Sequence, residues 1–384
     1  MKRCSSFTVR VIGALAIAFG CTPSSAQNAY IPNNLDNTVS VIDTVTDTVV
    51  GSPIPVGGFP SGVAVARSGK KVYVSNFNDS TVSVIDAATN AVTATIPLGE
   101  CPNPPVTDLG PAGVVVSPDG RKVYVASGEC RSLLVIDTAT DTVIATVPVG
   151  IIFLFGIAIS PDGSNVYVTG ERGNVYAITT ATNTVTNIQD SSRMKGIAVS
   201  PNGRWVYATE VEGLGVIDTA TDAFIDHVTI PDGGADRYGV AVSPDGKKVY
   251  VTTYQTNSVS VIDTATNTVV GSPIPVGSGP YGVAVTPDGR KIFVANELGG
   301  TVSVIDAVTG TVVTALPVGS QPTAFGVFIQ PRFAGTPGAR DCRGVSILAL
   351  AETFGGLHAA ANALGFPTVE ELGNAIDTFC AAGP

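Results

Sequence analysis

Aspartates repeated at regular positions are the residues of this chain most suited to acid–base or cation chemistry. One set lies between proline and glycine, at Asp119, Asp162, Asp245 and Asp288. Such a set could act together only if the fold brought its carboxylates to one place. A tight turn explains the same three residues, because proline fixes φ, aspartate accepts nearby N–H bonds and glycine accepts a positive φ. Asn202 replaces the aspartate in one copy, which suits a turn and would disable an acid, so we predict turns.

A second set of aspartates ends a Val-Ile-Asp triplet or its variant. These residues precede Thr-Ala-Thr-Asn or a similar sequence, which predicts a hairpin turn. The carboxylate can accept hydrogen bonds from the backbone N–H groups of that turn. Metal binding would require several of them to cluster, and a regular repeat spreads them apart. They stand at Asp43, Asp86, Asp137, Asp218, Asp263 and Asp306, with Thr179 in the remaining copy.

Histidine and cysteine are too sparse to suggest a metal or haem centre. The chain has two histidines, His227 and His358, far apart in sequence, and no Cys-X-X-Cys motif. Zinc and haem sites are built from several such ligands, so we predict no metal, no cofactor and no catalytic residues.

The amino terminus has the pattern of an export signal. Lys2, Arg3 and Arg10 precede or flank an apolar run at 11–20, and small residues end at Ala26. Residues 1–26 are therefore predicted to be a signal peptide, and the protein periplasmic or secreted. A lipoprotein anchored through Cys21 is the alternative. Removal of the segment takes the net charge from −10 to −13, which argues against a nucleic-acid partner. No second apolar stretch could span a membrane.

Four cysteines remain after this segment, and an even number in an exported protein suggests two disulfides. The chain repeats a unit of about 43 residues. Cys101 lies in the longest connection between two units and Cys130 in the next loop, which is predicted to lie on the same face of the fold, so we expect them to pair. We expect the second disulfide to join Cys342 and Cys380.

Internal repetition defines the fold. The triplets recur every 39 to 51 residues, and TVVGSPIPVG occurs identically at 48–57 and 268–277. Each unit holds four short, β-branched apolar runs, which we label A to D in chain order; in one unit they occupy 239–242, 247–253, 258–263 and 267–277. Four strands in such a period are typical of a propeller blade. We predict an all-β, seven-bladed propeller of four-stranded antiparallel blades over residues 27–331.

The ends of the repeat region predict how the ring closes. The first unit lacks an A run, and an additional A-like run, GVFIQP, occupies 326–331. The closing blade should therefore combine one strand from the carboxyl end with three from the amino end, which also covers a sheet edge. An aromatic residue recurs in every B run and is predicted to pack between blades, at Tyr30, Tyr73, Tyr124, Tyr167, Tyr207, Tyr250 and Phe293.

These motifs resemble a known family. The text VYVSN at 72–76, IFVAN at 292–296 and the TVSVIDTATNTV-like text after them is similar to the YVTN β-propeller repeat, over roughly 29–331. The resemblance implies the propeller fold and bacterial export. Since the family shares no single activity, it implies no chemistry.

The two faces of such a ring differ in what they offer a ligand. A–B and C–D turns lie on one uniform face, while B–C and D–A connections form a variable face, where binding usually occurs. Aromatic and basic residues near the predicted channel mouth could hold a planar or anionic ligand. The candidates are Phe155, Arg193, Lys195, Arg237, Tyr238, Tyr254, Tyr281 and Phe325.

Residues 332–384 differ in composition and form a separate segment. Alanine and leucine at helical spacing predict short helices pinned by Cys342–Cys380, with a capping box at Thr368 and Glu371. Such a segment could cap the propeller or mediate contact with a partner.

We therefore expect a non-enzymatic exported propeller that binds a protein partner or a small-molecule ligand on its variable face. The first alternative is a propeller hydrolase, lactonase or lyase with its site at the channel mouth. The second is a single-stranded nucleic-acid binder that uses the aromatic and basic mouth residues.

Overall fold

The computed structural model describes residues 27–101, 109–150, 153–170, 173–190, 192–326 and 328–330. Strands and turns make up these residues, and none of them belongs to a helix. No helix capable of spanning a membrane occurs in this part of the chain. The predicted signal peptide, the Cys342–Cys380 pair and the helical segment 332–384 lie outside the described residues.

Seven antiparallel sheets form a seven-bladed propeller, numbered here as blades 1 to 7 in chain order. The prediction from the repeat is confirmed. The innermost A strands of blades 2 to 7 are Pro60–Val65, Pro111–Val116, Leu154–Ile159, Ile197–Val199, Arg237–Val242 and Pro280–Val285. The B strands of blades 1 to 7 are Asn28–Asn33, Lys71–Asn76, Lys122–Ser127, Asn165–Gly170, Trp205–Thr209, Lys248–Thr253 and Lys291–Asn296.

The outer half of each blade consists of a C strand and a D strand. The C strands of blades 1 to 7 are Thr38–Asp43, Thr81–Asp86, Ser132–Asp137, Asn174–Thr179, Gly213–Asp218, Ser258–Asp263 and Thr301–Asp306. The D strands of blades 2, 3, 4, 5 and 7 are Ala91–Pro97, Thr142–Pro148, Thr184–Gln189, Ala223–Thr229 and Thr311–Pro317.

The duplicated TVVGSPIPVG segment breaks the D strand of blades 1 and 6. Each copy forms two short pieces, Thr48–Val49 with Ile54–Pro55 and Thr268–Val269 with Ile274–Pro275. The glycine between the pieces has a positive φ, and the proline that follows lacks an N–H for the ladder. The same sequence therefore gives the same interruption in two different blades.

The core lies between neighbouring blades. Tyr73 of blade 2, for example, packs with Val114, Val123 and Leu134 of blade 3. All seven aromatic residues of the B strands are at most 3% exposed, which confirms their predicted core role. Because each blade is covered on both faces by its two neighbours, its B and C strands can be apolar on both sides.

The ring closes through the segment at 322–330, as predicted. The N–H of Tyr30 donates to the carbonyl of Phe328 (2.9 Å), and the N–H of Gln330 donates to the carbonyl of Asn28 (2.8 Å). Gly62 of blade 2 and Phe325 form a further, parallel bridge. The final segment thus occupies the inner position of blade 1, where isolated bridges join it to Asn28–Asn33, and it contacts blade 2.

Pro-Asp-Gly forms the tight A–B turn, and its aspartate is a turn residue as predicted. Asp119 accepts hydrogen bonds from the Ser117 hydroxyl (2.6 Å) and the Arg121 N–H (3.1 Å), and these bonds lower its carboxyl pKa. Asn202 makes the same contacts with Ser200 (2.7 Å) and Arg204 (3.0 Å). A neutral amide therefore replaces the carboxylate without loss of the turn.

The aspartates of the Val-Ile-Asp triplets are turn acceptors as well. Asp137 accepts the backbone N–H groups of Ala139 and Thr140, both at 2.9 Å, and the pKa of its carboxyl is lowered by these bonds. Thr138 donates from this C–D turn to the carbonyl of Gly120 in the A–B turn (2.7 Å), so both turns share one face.

The variable face carries the B–C turns and the D–A connections. The N–H of Phe77 donates to the carbonyl of Phe59 (3.0 Å), and that of Tyr254 to the carbonyl of Asp236 (3.1 Å), which joins a turn to a connection in each blade. Cys101 and Cys130 form the predicted disulfide on this face, with an S–S distance of 2.06 Å.

Candidate functional site

A ring of glycines surrounds the axis of the propeller and fixes the residues at its mouth. A Cβ on Gly62, Gly113, Gly156, Gly196, Gly239, Gly282 or Gly326 would come closer than 3.0 Å to a backbone carbonyl oxygen of the neighbouring blade. Only glycine permits this approach. The residues that precede these glycines therefore lie side by side around the channel, as the sequence predicted.

Hydroxyl groups in the B strands hold several of these positions. Thr252 accepts the N–H of Gly239 in its own blade (2.8 Å) and donates to the carbonyl of Tyr281 in the next (2.9 Å). Thr169 bonds Gly156 and the carbonyl of Lys195 in the same way. The Ser or Thr of the repeat is thus a bridge between blades, and it positions the mouth residue.

Four aromatic side chains form a continuous cluster on one side of the mouth. The Tyr238 ring stacks on Tyr281 at a centroid distance of 4.2 Å and contacts Tyr254 at 5.3 Å. Tyr281 meets Phe325 edge to face at 5.5 Å. All four side chains are partly exposed, so the cluster offers aromatic surface to a ligand as well as packing for the inner strands. We call these four residues the aromatic cluster.

Lys195 is the cation at the edge of the aromatic cluster. Its Nζ lies 3.7 Å from the centroid of the Tyr238 ring and 3.2 Å from Oδ1 of Asp236. The ring and the carboxylate hold the ammonium group together, since aromatic faces attract cations. Its charge is thereby balanced locally by Asp236, a residue that the sequence analysis had not selected.

The hydroxyl of Tyr254 donates to Oε2 of Glu297 at 2.7 Å. Burial and this bond to a carboxylate raise the pKa of Tyr254, and burial raises that of Tyr281. Both phenols are therefore neutral donors at physiological pH. With Asp236 and Glu297 beside a single lysine, the aromatic cluster has no excess of positive charge.

The remaining aromatic candidates lie on other blades. Phe155 stacks on Phe153 at 6.1 Å, and Phe59 meets Phe77 at the same distance. Phe59 and Phe153 have φ values of 54° and 57°, while Gly110 and Gly279 occupy the same position in other blades. A bulky residue is strained at this backbone conformation. Sequence analysis missed Phe59 and Phe77, although Phe59 stands three residues before the axial Gly62.

Arg237 does not belong to the mouth, and its selection from sequence requires correction. Its side chain is fully buried, and its guanidinium bonds Oδ1 of Asp232 (2.7 Å) and the carbonyls of Ile230 (3.1 Å) and Val211. Burial lowers the pKa of Arg237, and the contact with Asp232 opposes that shift. This arginine ties two loops together. Arg193 is exposed and contacts none of the aromatic cluster within the described residues.

The channel beneath the mouth is narrow. A cavity of about 30 Å³ lies beside the axial strands of blades 4 to 7. It is lined by Gly196, Gly239, Gly282 and Gly326, by Ile157, Ile197, Val240, Val283 and Ala324, and by Tyr238 and Phe325 of the aromatic cluster. This volume holds roughly one or two waters, whereas ligand pockets usually exceed about 300 Å³. This cavity is therefore too small for most small-molecule ligands.

A second group of side chains that could bind a ligand lies between blades 4 and 5. Nδ1 of His227 is 2.9 Å from Oε1 of Glu210 and 3.9 Å from Oδ2 of Asp190. One ligand atom from each residue lies within 4.8 Å of the others. The sequence gave no signal for this group, because the three residues come from separate turns and strands.

Comparison with known proteins agrees with the architecture. Residues 208–330, about a third of the chain, match the YNCE-like beta-propeller family. No curated protein sequence matches the chain. A chain of Kuenenia stuttgartiensis hydrazine synthase has a similar fold, with a TM-score of 0.64 and 23% identity, over 77% of this chain and 99% of that one.

Dihydro-heme d1 dehydrogenase NirN, solved in complex with DHE, is similar at a TM-score of 0.57 and 16% identity. The alignment covers 78% of this chain and 65% of NirN, so the chain spans less than two thirds of that relative. At these identities the two structures support the fold alone.

The protein is therefore a seven-bladed β-propeller with a loop face that differs from blade to blade. Its repeats are similar to the YVTN type, and residues 208–330 match the YNCE-like beta-propeller family.

Proposed function

We propose that the protein is a non-enzymatic binding propeller whose ligand or protein partner lies against the aromatic cluster. The observation that carries this proposal is the unbroken contact of Tyr254, Tyr238, Tyr281 and Phe325, at 5.3, 4.2 and 5.5 Å. Tyrosine and phenylalanine bury a large area at little entropic cost, and they are enriched in binding surfaces.

The chemistry of the surface defines what it would bind. Its rings favour a flat apolar or aromatic group, and Lys195 with Asp236 offers one donor and one acceptor at the edge. NirN, which is named a dihydro-heme d1 dehydrogenase, gives an example of a similar propeller solved with a small molecule. The narrow channel favours a ligand that lies on the face.

The two alternative functions receive less support from the described residues. Nucleic acid would need several unpaired cations, yet Lys195 is paired with Asp236 and Arg237 is buried against Asp232, which leaves Arg193 as the exposed cation among the mouth candidates. A hydrolase or lyase would need an acid or base free to reach a substrate, yet Glu297 accepts from Tyr254 and Asp236 accepts from Lys195.

Site-specific photo-crosslinking tests the proposal. A benzophenone amino acid at position 281 in the host cell should capture a defined partner, and Tyr238→Ala should reduce the yield at least fivefold. For a small ligand, native mass spectrometry of protein purified from the host should show an added mass that Tyr238→Ala removes.

The matched control places the crosslinker at Thr266, in an exposed C–D turn on the opposite face. Equal capture of the same proteins from positions 266 and 281 would show that the aromatic cluster confers no selectivity, and the proposal would then fail.

We also propose that the protein is exported after cleavage behind Ala26. The apolar run near the amino terminus supports this, as does the Cys101–Cys130 disulfide, because such bonds persist in oxidising compartments. The mass of the mature protein from the host periplasm or medium should begin at Gln27. A full-length chain in the cytoplasm would contradict export, and an acylated Cys21 would indicate the lipoprotein alternative.

A further inference from the structure

The group at Asp190, Glu210 and His227 replaces a neutral network found in other blades. In blade 2 the side chain of Asn76 donates to the hydroxyls of Thr81 (2.9 Å) and Ser83 (2.9 Å), and Asn33 and Asn296 do the same in blades 1 and 7. Glu210 stands at this asparagine position in blade 5. A carboxylate has therefore replaced an amide at a buried position.

Two further changes in blade 5 accommodate the carboxylate. Gly215 stands where the other network has Ser83, and a Cβ at Gly215 would come closer than 3.0 Å to Oε1 of Glu210. His227 lies opposite Gly215 on the D strand, and its ring stacks on Phe224 at 5.4 Å. The blade thus provides space for the carboxylate and fixes the orientation of the imidazole.

Both carboxylates of this group are largely buried beside the imidazole. The Glu210 side chain is 8% exposed and Asp190 14% exposed, and Nδ1 of the half-exposed His227 contacts Oε1 of Glu210. Carboxylate oxygens and imidazole nitrogens are ligands that divalent transition metals accept.

We propose that Asp190, Glu210 and His227 bind a divalent transition-metal ion such as Zn²⁺ between blades 4 and 5. Metal–ligand bonds of about 2.0 to 2.2 Å place ligand atoms roughly 3 to 3.5 Å apart. The observed 2.9 and 3.9 Å from Nδ1 are close to this geometry, so small side-chain rotations suffice. His227 is 51% exposed, which gives the ion a route from solvent and leaves positions for water. The site lies on the variable face, separate from the aromatic cluster.

Histidine nitrogen NMR provides a direct test, because the whole chain contains two histidines. In ¹⁵N-labelled full-length protein, previously treated with chelator, one equivalent of Zn²⁺ should shift the ring nitrogens of one histidine. His227→Gln should remove that signal and so assign it. Ca²⁺, which prefers oxygen ligands, should leave the imidazole nitrogens unchanged.

Two variants separate a three-residue site from a lone histidine. Glu210→Gln and Asp190→Asn should each weaken Zn²⁺ binding at least tenfold, whereas Asp226→Asn, at an exposed carboxylate beside His227, should leave it unchanged. Thermal denaturation of each metal-free variant confirms that it folds. The proposal is overturned if millimolar Zn²⁺ leaves His227 unshifted, or if both variants bind as tightly as the parent.

Discussion

Single residues in this propeller act mainly through the backbone: they permit close contact between blades or stabilise a turn. Gly239 lets the backbone of one blade reach the Tyr281 carbonyl of the next, and Asp119 supplies a turn and no catalysis. Phe153 is the opposite case, since its left-handed backbone is more easily adopted by glycine. The axial glycines thus permit close packing of the blades, whereas Phe59 and Phe153 keep a bulky side chain at a position that glycine would occupy with less strain.

Gly239→Ala should lower the free energy of unfolding by at least about 2 kcal/mol, because its methyl group would collide with the Tyr281 carbonyl. Gly120→Ala is the control. Nothing lies within 4 Å of its Cβ, and its positive φ costs only about 1 kcal/mol. Urea denaturation measures both. Equal losses would show that backbone conformation, and not blade contact, explains the axial glycines.

Phe153→Gly should change the free energy of unfolding by less than about 1 kcal/mol, because relief of the left-handed conformation offsets the lost ring contact. Leu154→Ala, at the adjacent buried residue, should cost about 2 to 5 kcal/mol. Thermal and urea denaturation compare the two. A large loss for Phe153→Gly would mean that the ring is needed for packing and not held for surface contact.

At the scale of the strand, each position of the repeated B-strand sequence has its own structural role. In the B strand, the tyrosine fills the space between blades, the hydroxyl residue bridges to the next blade and the asparagine ties down the following turn. Each role belongs to one position of Val-Tyr-Val-Thr-Asn. The departures in blade 5, with Glu210 at the asparagine position, therefore stand out against a defined background.

Thr252→Val should cost about 2 kcal/mol in the free energy of unfolding, because it leaves the buried Gly239 N–H and Tyr281 carbonyl without their hydroxyl partner. Thr268→Val, on the exposed part of a D strand, should cost less than about 0.5 kcal/mol. If chemical denaturation gives the same small loss for both, the bridge between blades contributes little.

At the scale of the whole molecule, closure joins the ends of the repeat region. The segment at 322–330 pairs with Asn28–Asn33 and reaches blade 2, so blade 1 is complete only when residues far apart in sequence meet. A ring closed in this way has no exposed edge at its inner strands, which limits strand-to-strand association.

A pair of truncations tests this closure. A chain that ends at Gln330 should keep a cooperative thermal transition, because the closing contacts lie within residues 28–330. A chain that ends at Ser320 should lose that transition or form oligomers, because the Asn28–Asn33 strand has lost its inner partner. Circular dichroism and size-exclusion chromatography report the outcomes. Similar melting of the two chains would show that closure is not required.

The sequence by itself determined the blades, the turns, the aromatic core and the Cys101–Cys130 disulfide. These features depend on a local pattern that each unit repeats, so strand alternation and turn residues suffice to predict them. Lys195, Tyr238, Tyr281 and Phe325 were chosen because each stands just before an A strand, and Tyr254 because it lies nearby in sequence. The structure places these five side chains together.

Only the tertiary structure decided which of these side chains lie at the mouth and which are buried against other protein groups. Arg237 has the same sequence context as a mouth residue, yet Asp232 and two loop carbonyls draw its guanidinium into the protein. Asp190, Glu210 and His227 meet because two blades pack together, and no pattern within one repeat encodes that contact. Local periodicity specifies the unit, whereas contacts between units depend on side-chain packing across the blade interface, which no single repeat contains.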